Sequence, residues 1–363
     1  MSQSFYSEYA DYSYLEYERD DVADEIIPLI RPLLEFRWAR GKGVKWGEKF
    51  GESAQLSWSI GTSTSSYLDW HYSWDPPINE RFGNDPTQGE IDSLSEIFEK
   101  WSKFANVNFT YLEEDSDSKG NIRVIFIDMG ETGIAYLAPY GEFHINNYLR
   151  EDLTNTSNRF AEHIVSHEIG HAVFGLNDVS LIHGWDEPNG DDGKLLPWHL
   201  NNHKWTIMSY IDVGNIHGIS PMVLDILAIQ KIYGPNNSTG EGDTIYRWDE
   251  SPFETIWDVS GNDTIDLSNF NADINFQTEG GNLIEIGEKN VVGIAFNVDI
   301  ENFIGGNGND YFYLSEKVLS VNSNGGDDLI FAENDLSNVI INGGEGKDIL
   351  VSYNSLYSQN FEN

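Results

Sequence analysis

His163-Ile-Val-Ser-His167-Glu168-Ile-Gly-His171-Ala-Val-Phe-Gly175-Leu-Asn177-Asp178 is the stretch on which the reading of this chain turns. Its apolar spacing predicts a helix capped at Ser157, running through Phe174 and stopped by Gly175. On that helix His167 and His171 stand one turn apart on one face and can grip a single Zn²⁺. Glu168 is rotated by about 100° from His167, which lets it hold a water on the metal without occupying the metal. Zinc lowers the pKa of such a water to around 7, and a carboxylate can then take its proton. His163 lies a turn before His167 but well off the face of His171, so a structural or supporting role is expected for it. His144, His199 and His203 are expected at the surface or in loops.

Around this stretch the pattern is mixed. Gln55 to Ile60, Val107 to Leu112 and Asn121 to Ile127 alternate or run apolar as strands. Ile91, Leu94, Ile97, Phe98 and Trp101 recur at helical spacing within Gln88 to Ala105, and Met222 to Ile232 reads as a closing helix. Composition then changes near Gly234. All nine histidines precede it, and Gly, Asn and Asp clusters between short β-branched or aromatic runs follow it. The polar stretch Pro235 to Gly242 is the expected boundary.

The second part is repetitive. Residues 305–313 and 343–351 fit the nonapeptide G-G-x-G-x-D-x-(apolar)-x, and 323–331 fits it without the leading glycines. Asp310 and Asp328 are 18 residues apart, two nonapeptides and thus one coil of a parallel β-roll. Gly305, Gly306, Gly308, Gly343, Gly344 and Gly346 permit tight turns whose carbonyls face an ion. Asp310, Asp328 and Asp348 supply charged oxygen, so Ca²⁺ is the expected ligand. Leu314 to Asn322 has no such turn, so one calcium ladder is expected. Without Ca²⁺ the stacked aspartates repel, which couples folding to ion binding.

Thr206-Ile-Met208-Ser-Tyr210 resembles the Met-turn of serralysin-type metzincin zinc endopeptidases. The resemblance continues through Asp225 to Gly234, Gly242 to Tyr246, Thr255 to Asp266 and Ile300 to Gly305, in the family's order. It implies an α+β metzincin-like catalytic domain, a mixed sheet plus active-site helix, followed by an all-β parallel β-roll. The domains expected are an N-terminal acidic tail or propeptide-like segment (1–45), a zinc metallopeptidase domain (46–234) and a calcium-binding β-roll (235–363). His167 and His171 would be zinc ligands, Glu168 the general base and acid, and Met208 the floor beneath the metal. Tyr210 would be a displaceable ligand that assists the oxyanion. Asp258, Asp263 and Glu301 would add calcium ligands. An edge strand near Tyr136 to Leu137, or Phe143 to Asn146, would receive substrate as an added strand.

Two departures mark this chain. Phe174 is an extra residue relative to H-E-x-x-H-x-x-G-x-x-H, and Asp178 stands where the family has its third histidine. A carboxylate can ligate zinc, so Asp178 is the preferred third ligand, with His183 the alternative and Asn177 a poor donor.

Composition narrows the rest. There are 60 acidic and 21 basic side chains, a net charge of −39, which disfavours nucleic acid and anionic lipid and suits divalent cations or high salt. No cysteine is present, so thiolate metal sites, disulfides and a cysteine switch are excluded. No run approaches the roughly 18 apolar residues of a membrane span. Met1 to Asp21 lacks the basic start and apolar run of a secretory signal. The resemblance therefore implies secretion by a signal-peptide-independent route, although the chain ends at Asn363 soon after the last repeat. Protein or peptide substrates, a proteinaceous inhibitor and a monomeric state complete the expectation. The competing expectation is a catalytically impaired calcium-binding surface or adhesion protein that retains the peptidase fold.

Overall fold

Thr87 and Glu90 start the first long helix by a reciprocal capping box: Glu90 N–H donates to the Thr87 hydroxyl, and the Glu90 carboxylate accepts from Thr87 N–H. The computed structural model describes residues 14–17, 30, 33–34, 43–47, 49–62, 85–115, 118–136, 140–155, 159–179, 196–214, 217–249, 251–333, 335–352 and 355–361. Its contacts divide into two units, Met1–Asp212 with His217–Asn236, and Val213–Ile216 with Asn237–Asn363.

The first unit is built on a five-stranded sheet in the order β4-β3-β5-β7-β6, namely Val107–Tyr111, Ala54–Ile60, Ile122–Ile127, Glu142–Asn146 and Gly133–Tyr136. All neighbours are parallel except β6 with β7, so the sheet is mixed and carries an antiparallel edge. Helix α1 (Gln88–Ser102) buries Leu94, Ile97, Phe98 and Trp101, the helical stripe legible in the sequence. Helix α2 (Phe160–Ala172) packs against α1, β6 and β7, and its only described N-cap is Arg159. Helix α3 (Val223–Tyr233) is almost wholly buried. Phe174 stacks on Trp101 with ring centroids 4.6 Å apart and meets Tyr233 edge-on.

Several expectations shift. Helix α1 stops at Ser102 with Lys103 as its C-cap, and Ala105 already bridges to Pro235. Helix α2 ends at Ala172, two residues before Phe174, and Ser157 lies outside the described residues. Phe143 to Asn146 belongs to β7, flanked by β5 and β6, and so is not an edge. His144 and His203 are buried, not at the surface; His199 is exposed. The segment expected as an acidic tail or propeptide-like piece (1–45) holds some ordered structure. Tyr14–Tyr17 (β1) pairs antiparallel with Gly43–Trp46 (β2), and Ile30, Leu33 and Leu34 are buried.

In the second unit, five parallel strands lie in the order β18-β16-β14-β10-β8 (Ile340–Asn342, Ser320–Asn322, Asn302–Ile304, Thr264–Asp266, Ile245–Arg247). An eight-stranded sheet runs β20-β19-β17-β15-β11-β12-β13-β9 (Ser355–Phe361, Asp348–Ser352, Leu329–Ala332, Tyr311–Leu314, Ile274–Gln277, Leu283–Ile286, Asn290–Ile294, Phe253–Ile256). Its β12 and β20 pair antiparallel, so the unit is not uniformly parallel. Coil length is 18 residues from Tyr311 to Leu329 and 20 from Leu329 to Ile349. The apolar position of each repeat points inward, where Phe276 stacks on Phe312 at 4.1 Å and meets Phe303 edge-on across the roll. Among the described residues no helix is long and apolar enough to cross a membrane.

Candidate metal sites

Helix α2 brings His167 and His171 together with their Nε2 atoms 3.1 Å apart. Each Nδ1–H donates to a carbonyl, Ile207 O at 2.9 Å and Leu176 O at 2.6 Å, so in the neutral ring each Nε2 keeps its lone pair, open to a metal or to a proton shared with Asp178. Asp178 Oδ1 sits 3.1 Å from His167 Nε2 and 3.3 Å from His171 Nε2. Four-coordinate zinc with bonds of about 2.0–2.2 Å sets its ligand atoms about 3.3 Å apart, so this triangle has the dimensions of one tetrahedral face. Burial works against the Asp178 charge, but His171 and His167 more than offset it and hold its pKa well below the usual carboxylate range. Burial likewise opposes the His171 charge, yet Asp178 raises that imidazole to about 9. His183 lies outside the described residues.

The extra residue is absorbed where the helix ends. Gly175 takes φ +65°, and Leu176 N–H reaches back to Gly170 O, six residues away, at 2.9 Å. Phe174 turns into the core, and the chain beyond it arrives with Asp178 at the imidazoles. Asn177 N–H is spent on Leu33 O at 2.9 Å.

Glu168 is buried beside the triangle, its Oε2 without a hydrogen-bond partner and its pKa raised by burial. The edge strand β6 crosses directly over it: a Cβ on Gly133 would fall 2.5 Å from Glu168 Oε1. Met208 packs under the helix at Gly170, where an added Cβ would lie 2.5 Å from its sulfur. The Tyr210 ring stacks against His167 at 5.6 Å, and its phenol hydrogen-bonds Asp178. Burial and then the Asp178 charge push that phenol well above the usual tyrosine range.

A residue whose role sequence reasoning missed secures the turn. Asp225, fully buried on α3, accepts from Thr206 Oγ1 at 2.6 Å, Ile207 N–H at 2.8 Å and Met222 N–H at 2.9 Å. Ile207 O in turn orients His167. A lone carboxylate inside the apolar run 222–233 was the signal. Replacing Asp225 by Ala strands three buried donors and frees the carbonyl that aims His167. We expect a melting temperature lower by about 10 °C and zinc affinity about tenfold weaker, read by calorimetry and metal titration.

The carboxylates of the roll fall into two groups. Asp310, Asp328 and Asp348 line turns leading from the five-stranded to the eight-stranded sheet. Asp310 N–H donates to Asp328 Oδ1 at 2.7 Å, and Asp328 N–H to Asp348 Oδ1 at 3.1 Å. All three are buried, and Asp328 Oδ2 and Asp348 Oδ2 have no partner. Stacking is close enough that a Cβ on Gly344 or Gly346 would collide with the carbonyl oxygen of Asn324 or Gly326 in the coil below, and both have positive φ. Gly305 and Gly343 abut the carboxylates of Asp310 and Asp348, while Gly306 N–H donates to Asp310 Oδ2 at 2.7 Å. Gly308 stands against the backbone of Ala272 and Asp273. Asp258, Asp263 and Glu301 lie instead in the turns that lead the other way, where Asp263 N–H donates to Glu301 Oε2 at 2.7 Å.

Comparison with known proteins places this architecture. Residues 224–362 match the family model described as Peptidase M10 serralysin C terminal. Among individual proteins, the chain is 29% identical over 307 residues to serralysin of Photorhabdus sp. (strain Az29), covering 76% of this chain and 60% of that protein. It is 30% identical over 300 residues to serralysin B of Dickeya chrysanthemi, covering 72% and 59% respectively. The chain thus spans about 60% of the length of the curated relatives it matches.

Proposed function

We propose that this chain is a secreted, calcium-stabilised metalloendopeptidase of the serralysin type, hydrolysing internal peptide bonds of proteins. The observation that carries the reading is the triangle of His167 Nε2, His171 Nε2 and Asp178 Oδ1, 3.1–3.3 Å on a side, with the buried Glu168 beside it. Three donor atoms this close, two of them on rings fixed by carbonyl partners, are held together either by a proton on the imidazoles or by a metal ion that displaces it. Zinc suits the imidazole–carboxylate donor set, and when bound it supplies Lewis acidity that polarises a carbonyl and brings the pKa of water near 7.

Glu168 takes the proton of the attacking water and returns it to the leaving amine. Tyr210, kept neutral by its raised pKa, donates its phenolic hydrogen to the developing oxyanion. The outer side of β6, the edge of the sheet among the described residues, accepts an extended peptide as a further strand, which fixes the scissile bond over Glu168. In the second unit, Asp310, Asp328 and Asp348 would hold Ca²⁺, with Asp258, Asp263 and Glu301 serving the opposite turns, and the ion would offset the carboxylate repulsion that opposes folding of the roll.

The similarity to serralysins supports the class. The partnerless Glu168 Oε2 argues against the adhesion-protein alternative, because a decayed site has no need to bury a carboxylate. The test is cleavage of an unfolded protein by the calcium-saturated chain. A zinc chelator should abolish cleavage and stoichiometric Zn²⁺ restore it; cleavage indifferent to chelation would reject the reading.

A further inference from the structure

A second histidine cluster lies behind the first. One ring nitrogen each of His163, His203 and His217 falls within 4.8 Å of the other two. The three come from separate segments: His163 from α2, His203 from the turn before Met208, and His217 from the approach to α3. Ring centroids are 4.5 Å apart for His163 and His203, 5.4 Å for His163 and His217, and 6.2 Å for His203 and His217.

Their hydrogen bonds follow the pattern seen at His167 and His171. His163 Nδ1 pairs with Gly218 O at 2.7 Å, and His203 Nε2 with Ser209 O at 2.7 Å. A carbonyl can only accept, so those nitrogens carry the protons. His163 Nε2 and His203 Nδ1 therefore keep their lone pairs. His203 Nδ1 and His217 Nδ1 are buried and have no hydrogen-bond partner, a cost a packed core normally avoids. Burial, reinforced by the neighbouring imidazoles, lowers the pKa of His163; burial also lowers that of His203, against the Ser209 carbonyl and the Asp212 charge, so both rings favour the neutral form that ligates metal. Asp212 waits at the rim with Oδ1 4.0 Å from His203 Nδ1.

From this geometry we infer that His163, His203 and His217 form a second transition-metal site, structural in role, which takes Zn²⁺ with Asp212 in reach of the fourth position. Imidazole donors suit Zn²⁺ and not Ca²⁺, which prefers oxygen. The ion would tie α2 to the chain segments on either side of the Met-turn, across sequence separations of 40 and 54 residues. A cross-link over such long loops stabilises most by restricting the unfolded chain.

The experiment counts metal by mass spectrometry on the full chain, stripped, saturated with Ca²⁺, then dialysed against micromolar Zn²⁺. The proposal expects two zinc ions in the wild type and one after His203→Gln/His217→Gln. It also expects one in His167→Gln/His171→Gln, whose melting temperature should still rise on adding Zn²⁺. Glutamine at 203 can still donate to Ser209 O, which limits loss of fold. Should the 203/217 variant misfold, the 167/171 variant decides alone: a remaining zinc supports the second site and none overturns it. Equal zinc content in the wild type and a folded 203/217 variant also overturns it. A single wild-type zinc that disappears only in the 203/217 variant would support this site while rejecting the catalytic reading.

Discussion

Glu168→Gln should lower protein cleavage by about 10³-fold or more while leaving zinc content unchanged. Glutamine matches the volume of glutamate, and the space is tight: β6 passes so close that Gly133 has no room for a Cβ against Glu168. The substitution therefore keeps the packing and removes only the basic oxygen. Glu168 belongs to none of the edges of the 167–171–178 triangle, so metal affinity should hold. The loss should fall on kcat, with KM nearly constant, because in the proposed mechanism the carboxylate acts on the proton in flight and not on a peptide held along β6. Full-strength cleavage by the variant would remove Glu168 from the chemistry. Loss of zinc would instead make it a ligand.

How much of this was legible beforehand depended on whether the signal was local. Helix α1, its buried stripe and the strands at 54–60, 107–111 and 122–127 follow from periodicity within a short window. The proximity of His167 to His171 follows from helical pitch alone. Asp178 was reachable only by alignment, because its approach depends on Gly175 entering a positive φ and Phe174 rotating into the core against Trp101. His163 was legible as a helical neighbour of His167, but nothing in the spacing joined it to His203 and His217. They meet through three segments brought together by tertiary packing, and a buried histidine such as His203 reads as a surface or loop residue in a one-dimensional pattern. Burial of Leu33 and Leu34 was hidden in the same way, behind an acidic and tyrosine-rich start. In the roll, repeats revealed the Asp310, Asp328 and Asp348 turns, but not that Asp258, Asp263 and Glu301 serve turns of the opposite sense. That distinction depends on which sheet each strand joins.

The roll should respond to pH in opposite directions with and without calcium. In the calcium-free chain, burial raises Asp310 to about 7 and Asp328 to about 6, and neighbouring carboxylates add to the rise. A carboxyl whose folded pKa is raised binds more protons folded than unfolded, so unfolding becomes easier as pH climbs. The stabilising protons are fully in place below about pH 4, where the unfolded carboxyls also titrate. Their contribution fades through pH 6 and 7 and is absent above. Calcium-free roll should therefore melt on the order of 10 °C higher at pH 5 than at pH 8. With millimolar Ca²⁺ the order reverses, since the ion needs the deprotonated oxygens, including the partnerless Oδ2 atoms of Asp328 and Asp348. Chelating Ca²⁺ at pH 8 should then collapse strand dichroism, and restoring it should recover the signal. Asp328→Asn separates the two causes: it should raise the calcium-free melting point at pH 8 and weaken the calcium response. A melting point indifferent to both pH and calcium would mean that the stacked carboxylates are ordinary solvated turns.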